Sequence, residues 1–159
     1  MENPLLYDGK KVDLRIHFLI LPDYNNDKNF KVYLSKLIIV RYPRNKFNLY
    51  NLDIKNHLTN FSIYNEKNIK KNKPLEDNHF ELSQLFGKDF SDRIYKQIKR
   101  KFKHLFKNKI LKILNNYKDV MYHYFFALHC LDVLIDDKEK IYFIDYNINP
   151  GMEYININE

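Results

Sequence analysis

The sequence predicts an α/β fold in which an antiparallel sheet is flanked by helices, and three observations carry that prediction. A segment near the start, KVDLRIHFLIL from Lys11 to Leu21, alternates polar and apolar residues with the period of two that marks a strand. A central segment repeats its apolar residues at helical spacing, and two late apolar runs are split by a charged pentapeptide as in a hairpin. With 159 residues, 45% of them hydrophobic and 16% aromatic, the chain is long enough for one buried core and too apolar for a disordered basic tail.

In the first strand Lys11, Asp13, Arg15 and His17 share one face, while Val12, Leu14, Ile16 and Phe18 share the other, which is the face to bury. Residues 22–29 carry Pro, Asn and Asp and read as a connection. Phe30 to Tyr42 reads as a second strand, antiparallel to the first and ending near Arg41; residues 45–53 are polar and loop-like. Lys55 to Tyr64 has no clear periodicity, and residues 65–78 read as a mobile Lys/Asn/Asp-rich loop with Pro74. A long helix is expected from an N-cap at Ser91 to Asn115, with Ile94, Ile98, Phe102, Leu105, Ile110 and Ile113 on its apolar stripe. Tyr122 to Ile135 reads as a run that can begin as helix and finishes as strand, and with the strand Ile141 to Asn147 it suggests a hairpin around residues 136–140.

The formal charge of +7 is concentrated rather than spread. Residues 93–112 hold nine Lys or Arg and no acid, and the rest of the chain has 18 basic residues against 20 acidic ones. The lone cysteine, Cys130, excludes a disulfide framework and a thiolate zinc site, and it suits a reducing, intracellular compartment. There is no apolar run long enough to span a membrane and no secretory leader pattern at the start. Only three glycines occur, so a Gly-rich phosphate loop cannot be built and a nucleotide would have to be held by strands and side chains.

The hairpin holds the residues with most chemistry. If Asp137 faces Lys140, paired residue numbers add to 277 and Asp132 lies opposite Asp145. Two facing carboxylates in otherwise apolar strands repel, and a divalent cation offsets that repulsion. Asn147, two residues beyond Asp145, adds a neutral oxygen on the same face, a donor set that suits Mg²⁺. The same spacing also fits two solvent-facing acids on a half-exposed hairpin. On the first strand, Lys11, Asp13 and Arg15 project together with Arg41 alongside, a face able to clamp phosphate oxygens, although on the residues alone surface ion pairs are the favoured reading.

The segment Glu2 to Ile20 resembles the core signature of the tubulin tyrosine ligase-like family of ATP-grasp ligases, in which N-P-L-L-x-x-G-x-K-F-D-L-R opens a strand. The resemblance continues in order through VRYP at Arg41, HLTNFSI from His57, LDVLID from Leu131 and FIDYNINPGM from Phe143. It implies the C-terminal part of an ATP-grasp module, with residues 1–159 a single partial domain lacking the N-terminal part that holds the adenine hinge. Lys11 and Asp13 would contact ATP, with Thr59 and Asn60 near its ribose and phosphates. Arg15 and Arg41 would face an acyl-phosphate or the incoming substrate, and Asp132, Asp145 and Asn147 would hold Mg²⁺. Such enzymes activate a carboxylate with ATP and let an amine displace the phosphate.

The implied partner is tubulin through its acidic C-terminal tails, in a cytoplasmic, cytoskeleton-associated setting, with a second chain as a possible source of the missing half. Neither DNA nor a membrane span is expected. Asp145 stands where the family has Glu, and Val12 where it has Phe. The stretch Asp77 to Leu82 lacks the lysine of glutamylating members, which tilts the implied reaction toward tyrosine addition. Without its N-terminal part the chain is expected to bind Mg·ATP weakly and turn over little. A competing expectation from the charge alone is a non-catalytic module that uses the basic helix on acidic tails, nucleic acid or anionic membrane.

Overall fold

A computed structural model describes residues 1–23, 30–43, 45–51, 53, 56–57, 59, 79–116, 126–148 and 150. Two short strands, β1 (Leu6–Tyr7) and β2 (Lys10–Lys11), pair as a small hairpin whose two-residue loop is Asp8-Gly9. Both loop residues have positive φ, 48° and 71°, the geometry that an Asp-Gly pair adopts most readily in a tight hairpin turn.

The main sheet contains β3 (Asp13–Pro22), β4 (Phe30–Arg41), β5 (His79–Glu81), β6 (Ala127–Ile135) and β7 (Ile141–Ile148). Its order is β5-β4-β3-β6-β7, with every neighbouring pair antiparallel. The first strand thus becomes the centre of the sheet, paired on one side with β4 and on the other with β6, more than a hundred residues later. Its apolar face is buried as the alternation predicts: Leu14, Ile16 and Ile20 are fully covered and Phe18 nearly so. The opposite face is also largely covered, since Asp13 is buried and Arg15 and His17 are half-buried.

Between Ile16 and Phe18 the β3/β4 register shifts by two residues, with Ser35 to Leu37 facing His17. An even shift keeps the two faces in phase, so Val32 and Leu34 stay on the same side as Ile38 and Val40.

Helices cover one face. A short helix α1 (Leu82–Phe86) is followed at Gly87 by α2 (Lys88–Leu105), a π-helical turn Phe106–Ile110, and α3 (Leu111–Asn115). The expected helix is therefore present, but it starts three residues before Ser91 and its hydrogen-bond pattern widens in one turn. Ile94, Ile98 and Phe102 form the buried stripe against Leu14, Ile16, Phe18 and Leu131. Residues on either side of that stripe lie 100° around the helix. On one side Arg93 grips Glu139 at 2.7 and 3.1 Å, Gln97 donates to the Glu139 carbonyl at 2.9 Å and Lys101 to the Ile141 carbonyl at 2.6 Å. That flank ties the helix to the β6–β7 turn.

The turn itself corrects the expected register. Asp136, not Asp137, lies opposite Lys140, with Glu139 at φ 61° closing a three-residue loop. Near the turn Ile135 faces Ile141 and Val133 faces Phe143, so residue numbers add to 276 there. A bulge at Ile144 then inserts one residue, which places Asp132 opposite Asp145 as the sequence arithmetic proposed. The segment Lys55 to Tyr64 is described only at Asn56, His57 and Thr59, and the 65–78 loop lies outside the described residues.

Candidate functional site

The charged face of the sheet gathers five of the proposed site residues, Asp13, Arg15, Arg41, Thr59 and Asp132, into one network. Asp13 and Arg41 are register partners across β3 and β4, and Arg15 and Asp132 are register partners across β3 and β6. Arg15 donates from Nε and Nη2 to the two oxygens of Asp132 at 2.9 and 3.0 Å, a bidentate fork. Arg41 donates from Nε to Asp13 Oδ1 at 2.7 Å and reaches Asp132 Oδ2 with Nη2 at 3.0 Å. Thr59 donates its hydroxyl to the other oxygen of Asp13. Asp13, Arg41, Thr59 and Asp132 are each at least 95% buried, so these are not the surface ion pairs that a half-exposed strand would make.

Two acids and two guanidinium groups balance in formal charge, which is what allows them to be buried together. The two carboxylates nevertheless differ. Burial pushes the Asp13 carboxyl above its ordinary value, opposed by Arg41 and by the Thr59 hydroxyl. Burial acts on Asp132 too, but the Arg15 hydrogen bonds and the Arg41 charge outweigh it and hold this carboxyl below the usual range. The difference follows from partner count: among the described residues Asp132 touches two guanidiniums and Asp13 one. Lys11, half-buried beside this cluster, is lowered by burial and partly restored by the charge of Asp13.

Asp145 and Asn147 complete the face. Asp145 is exposed, accepting from the Tyr146 backbone at 2.8 Å and from the Asn147 amide at 3.1 Å. As a register partner of Asp132 it leaves the sheet on the same side, with Asn147 two residues on. Two carboxylates and an amide oxygen are hard-oxygen donors of the kind Mg²⁺ takes, while both Asp132 oxygens are engaged here by Arg15 and Arg41. Among the described residues no group of three or more His, Cys, Asp or Glu could hold a metal, so these three residues offer the mixed carboxylate–amide set rather than an all-acid cage. Asn60 lies outside the described residues.

The structure thus brings Asp13, Arg15, Arg41, Thr59 and Asp132 into direct contact, leaves Lys11 at their margin and places Asp145 and Asn147 across the next strand. Sequence reasoning offered surface ion pairs on this strand; what it missed is that the pairs are buried and draw in Asp132 from a distant strand. The β3/β6 pairing that sets Arg15 against Asp132 joins residues 117 apart, a separation at which local patterning carries no register. It also missed that Cys130 lies buried on this face opposite Asn147. Burial raises its thiol pKa, which disfavours the thiolate a nucleophile needs.

The description of the tubulin-tyrosine ligase family matches residues 1–156. The chain is 26% identical to a probable alpha-tubulin polyglutamylase, Ttll1, of Tetrahymena thermophila, over 96% of this chain and 36% of that protein. It is 33% identical to a probable tubulin polyglutamylase, TTLL2, of Mus musculus, over 94% of this chain and 28% of that protein. It therefore spans about a third of the length of the curated relatives it matches. A match over all but the last few residues, on a chain whose signature residues meet on one sheet face, makes this protein a member of the tubulin-tyrosine ligase family.

Proposed function

We propose that this chain forms the phosphate- and metal-facing part of an ATP-dependent ligase that joins an amino acid to tubulin through an acyl-phosphate. The observation that carries the reading is the placement of Arg15, Arg41, Asp13 and Asp132 on one buried sheet face, with Asp145 and Asn147 one strand away. Phosphoryl transfer needs positioned positive charge and hard oxygen ligands rather than a covalent nucleophile, and this face gathers groups of both kinds, paired with one another.

In this reading Asp132, Asp145 and Asn147 hold Mg²⁺, which supplies neutralising charge to the nucleotide phosphates. Arg15 and Arg41 are kept forward-facing by Asp132 and meet the anionic groups of the reactants. Thr59 and Arg41 fix the Asp13 carboxylate, so that it meets ATP in one orientation, with Lys11 beside it. Asn60, next to Thr59 in sequence, contributes near the ribose. The relatives are named as polyglutamylases, which favours glutamate over the tyrosine suggested by the missing lysine in residues 77–82. The acceptor is then a tubulin tail, and the site of action the cytoskeleton. Among the described residues no helix is long and apolar enough to cross a membrane.

Calorimetric titration of the full chain with ATP, with and without Mg²⁺, tests the reading. The expected result is binding weaker than low micromolar that requires Mg²⁺ and is lost in Asp132→Asn. Absence of Mg²⁺-dependent binding, or binding that Asp132→Asn leaves unchanged in a folded protein, overturns it.

A further inference from the structure

The helix α2 has a second flank, and its surroundings differ from those of the first. A five-stranded sheet is about 19 Å across and a helix about 10 Å wide, so one helix cannot cover the whole sheet. On the hairpin side Arg93, Gln97 and Lys101 fasten the helix down. On the other side a groove of about 610 Å³ opens between the helix and the first half of β4.

Val32, Leu34, Phe102, Phe106 and Leu111 line it, and Lys99, Lys103 and Lys107 stand along one rim. These three lysines are exposed and have no ion-pair partner among the described residues. Tyr33, which also lines the groove, is 56% exposed. The π-helical turn begins at Phe106, within the lining, and such turns are a costly distortion found frequently where helices meet ligands.

We infer that this groove docks an acidic amphipathic helix of a protein partner. Lys99, Lys103 and Lys107 recur every four residues, about 6 Å apart along the helix, which is the spacing of acids at i, i+4 and i+8 on a facing helix. Apolar residues on the adjoining stripe of that partner would enter the groove, while its acids pair with the lysine rim. Tyr33, Tyr95 and Phe106 also line the groove and offer rings on which a base can stack, which makes a nucleic acid the competing ligand in the test, but Phe102 is only 6% exposed and the aliphatic Val32, Leu34 and Leu111 favour apolar side chains. A concave groove also does not suit a lipid surface, which meets a protruding apolar face. This surface lies outside the proposed ligase site and does not depend on that reading.

Fluorescence anisotropy on the full chain tests the inference with a labelled helix-forming peptide carrying Leu at i, i+3 and i+7 and Glu at i+4, i+8 and i+12. Saturable binding is expected, weakened about tenfold or more by the combined exposed-site variant Lys99→Glu/Lys103→Glu/Lys107→Glu, and weakened to a similar degree when the peptide leucines become serine. Circular dichroism of the variant should match the parent protein. No saturable binding, equal binding by the serine peptide or by polyglutamate of the same length, insensitivity to the lysine reversals, or tighter binding of oligo-dT overturns it.

Discussion

Arg15 and Asp132, 117 residues apart, form a two-pronged ion pair at 2.9 and 3.0 Å across the central strands of the sheet. It links the start of the chain to its last third and holds in place an arginine that the proposed chemistry needs. Because Asp132 also receives Arg41, one carboxylate positions two guanidinium groups.

Removing that carboxylate should be costly. Asp132→Ala leaves the half-buried Arg15 without this acceptor and the buried Arg41 with Asp13 alone, and is expected to destabilise the fold by about 3–5 kcal/mol. Arg15→Lys keeps the charge but loses the fork and should cost about 1–3 kcal/mol. Urea unfolding with unchanged slope measures both; losses below about 0.5 kcal/mol would mean the network contributes nothing to folding.

Gly87 separates the two helices with φ 83° and ψ 160°, a conformation essentially restricted to glycine. A Cβ there would meet no atom within 4 Å, so any loss on substitution comes from the backbone alone. Gly87→Ala is expected to lower stability by about 1–3 kcal/mol. Thermal unfolding that leaves the midpoint unmoved would show that the helix junction relaxes without strain.

His129 lies 96% buried, with ring centroids 5.2 Å from Phe18 and 5.3 Å from Tyr146, and its Nδ1 is 2.9 Å from the Tyr146 hydroxyl. Burial lowers its pKa from the ordinary histidine value. The folded state thus favours the neutral ring, while the unfolded chain takes up a proton near pH 6.5. Its contribution to stability is full above about pH 6.5 and is lost as the pH falls toward the depressed folded value. Unfolding free energies measured from pH 7.5 to 5.5 should fall more steeply for the parent protein than for His129→Phe. Parallel pH profiles for the two would remove His129 as the source.

Much of this fold is legible in local patterning. The alternation in KVDLRIHFLIL identified a strand and its buried face, and the spacing of Ile94, Ile98 and Phe102 identified the helix face that covers it. Patterning erred at the ends, where competing local chemistry decides. The helix starts at Lys88 because Gly87 supplies the break, and the hairpin turn sits one residue earlier because Asp136 accepts from the backbones of Lys138 and Lys140 at 3.0 and 2.8 Å. The facing of Asp132 and Asp145 came out as expected only through the bulge at Ile144, which the residue arithmetic did not contain.

By itself the sequence determined which residues alternate, which repeat at helical spacing, where the basic charge is concentrated and which family signature the chain resembles. These are properties of neighbouring residues or of motifs read in order. Only the tertiary structure decided that Arg15 grips Asp132, that Arg41 bridges Asp13 and Asp132, and that one flank of the basic helix is fastened to Glu139 while the other borders a groove. Those outcomes depend on strand order and register between distant segments, and on which charges can be buried together once their desolvation is balanced by a partner.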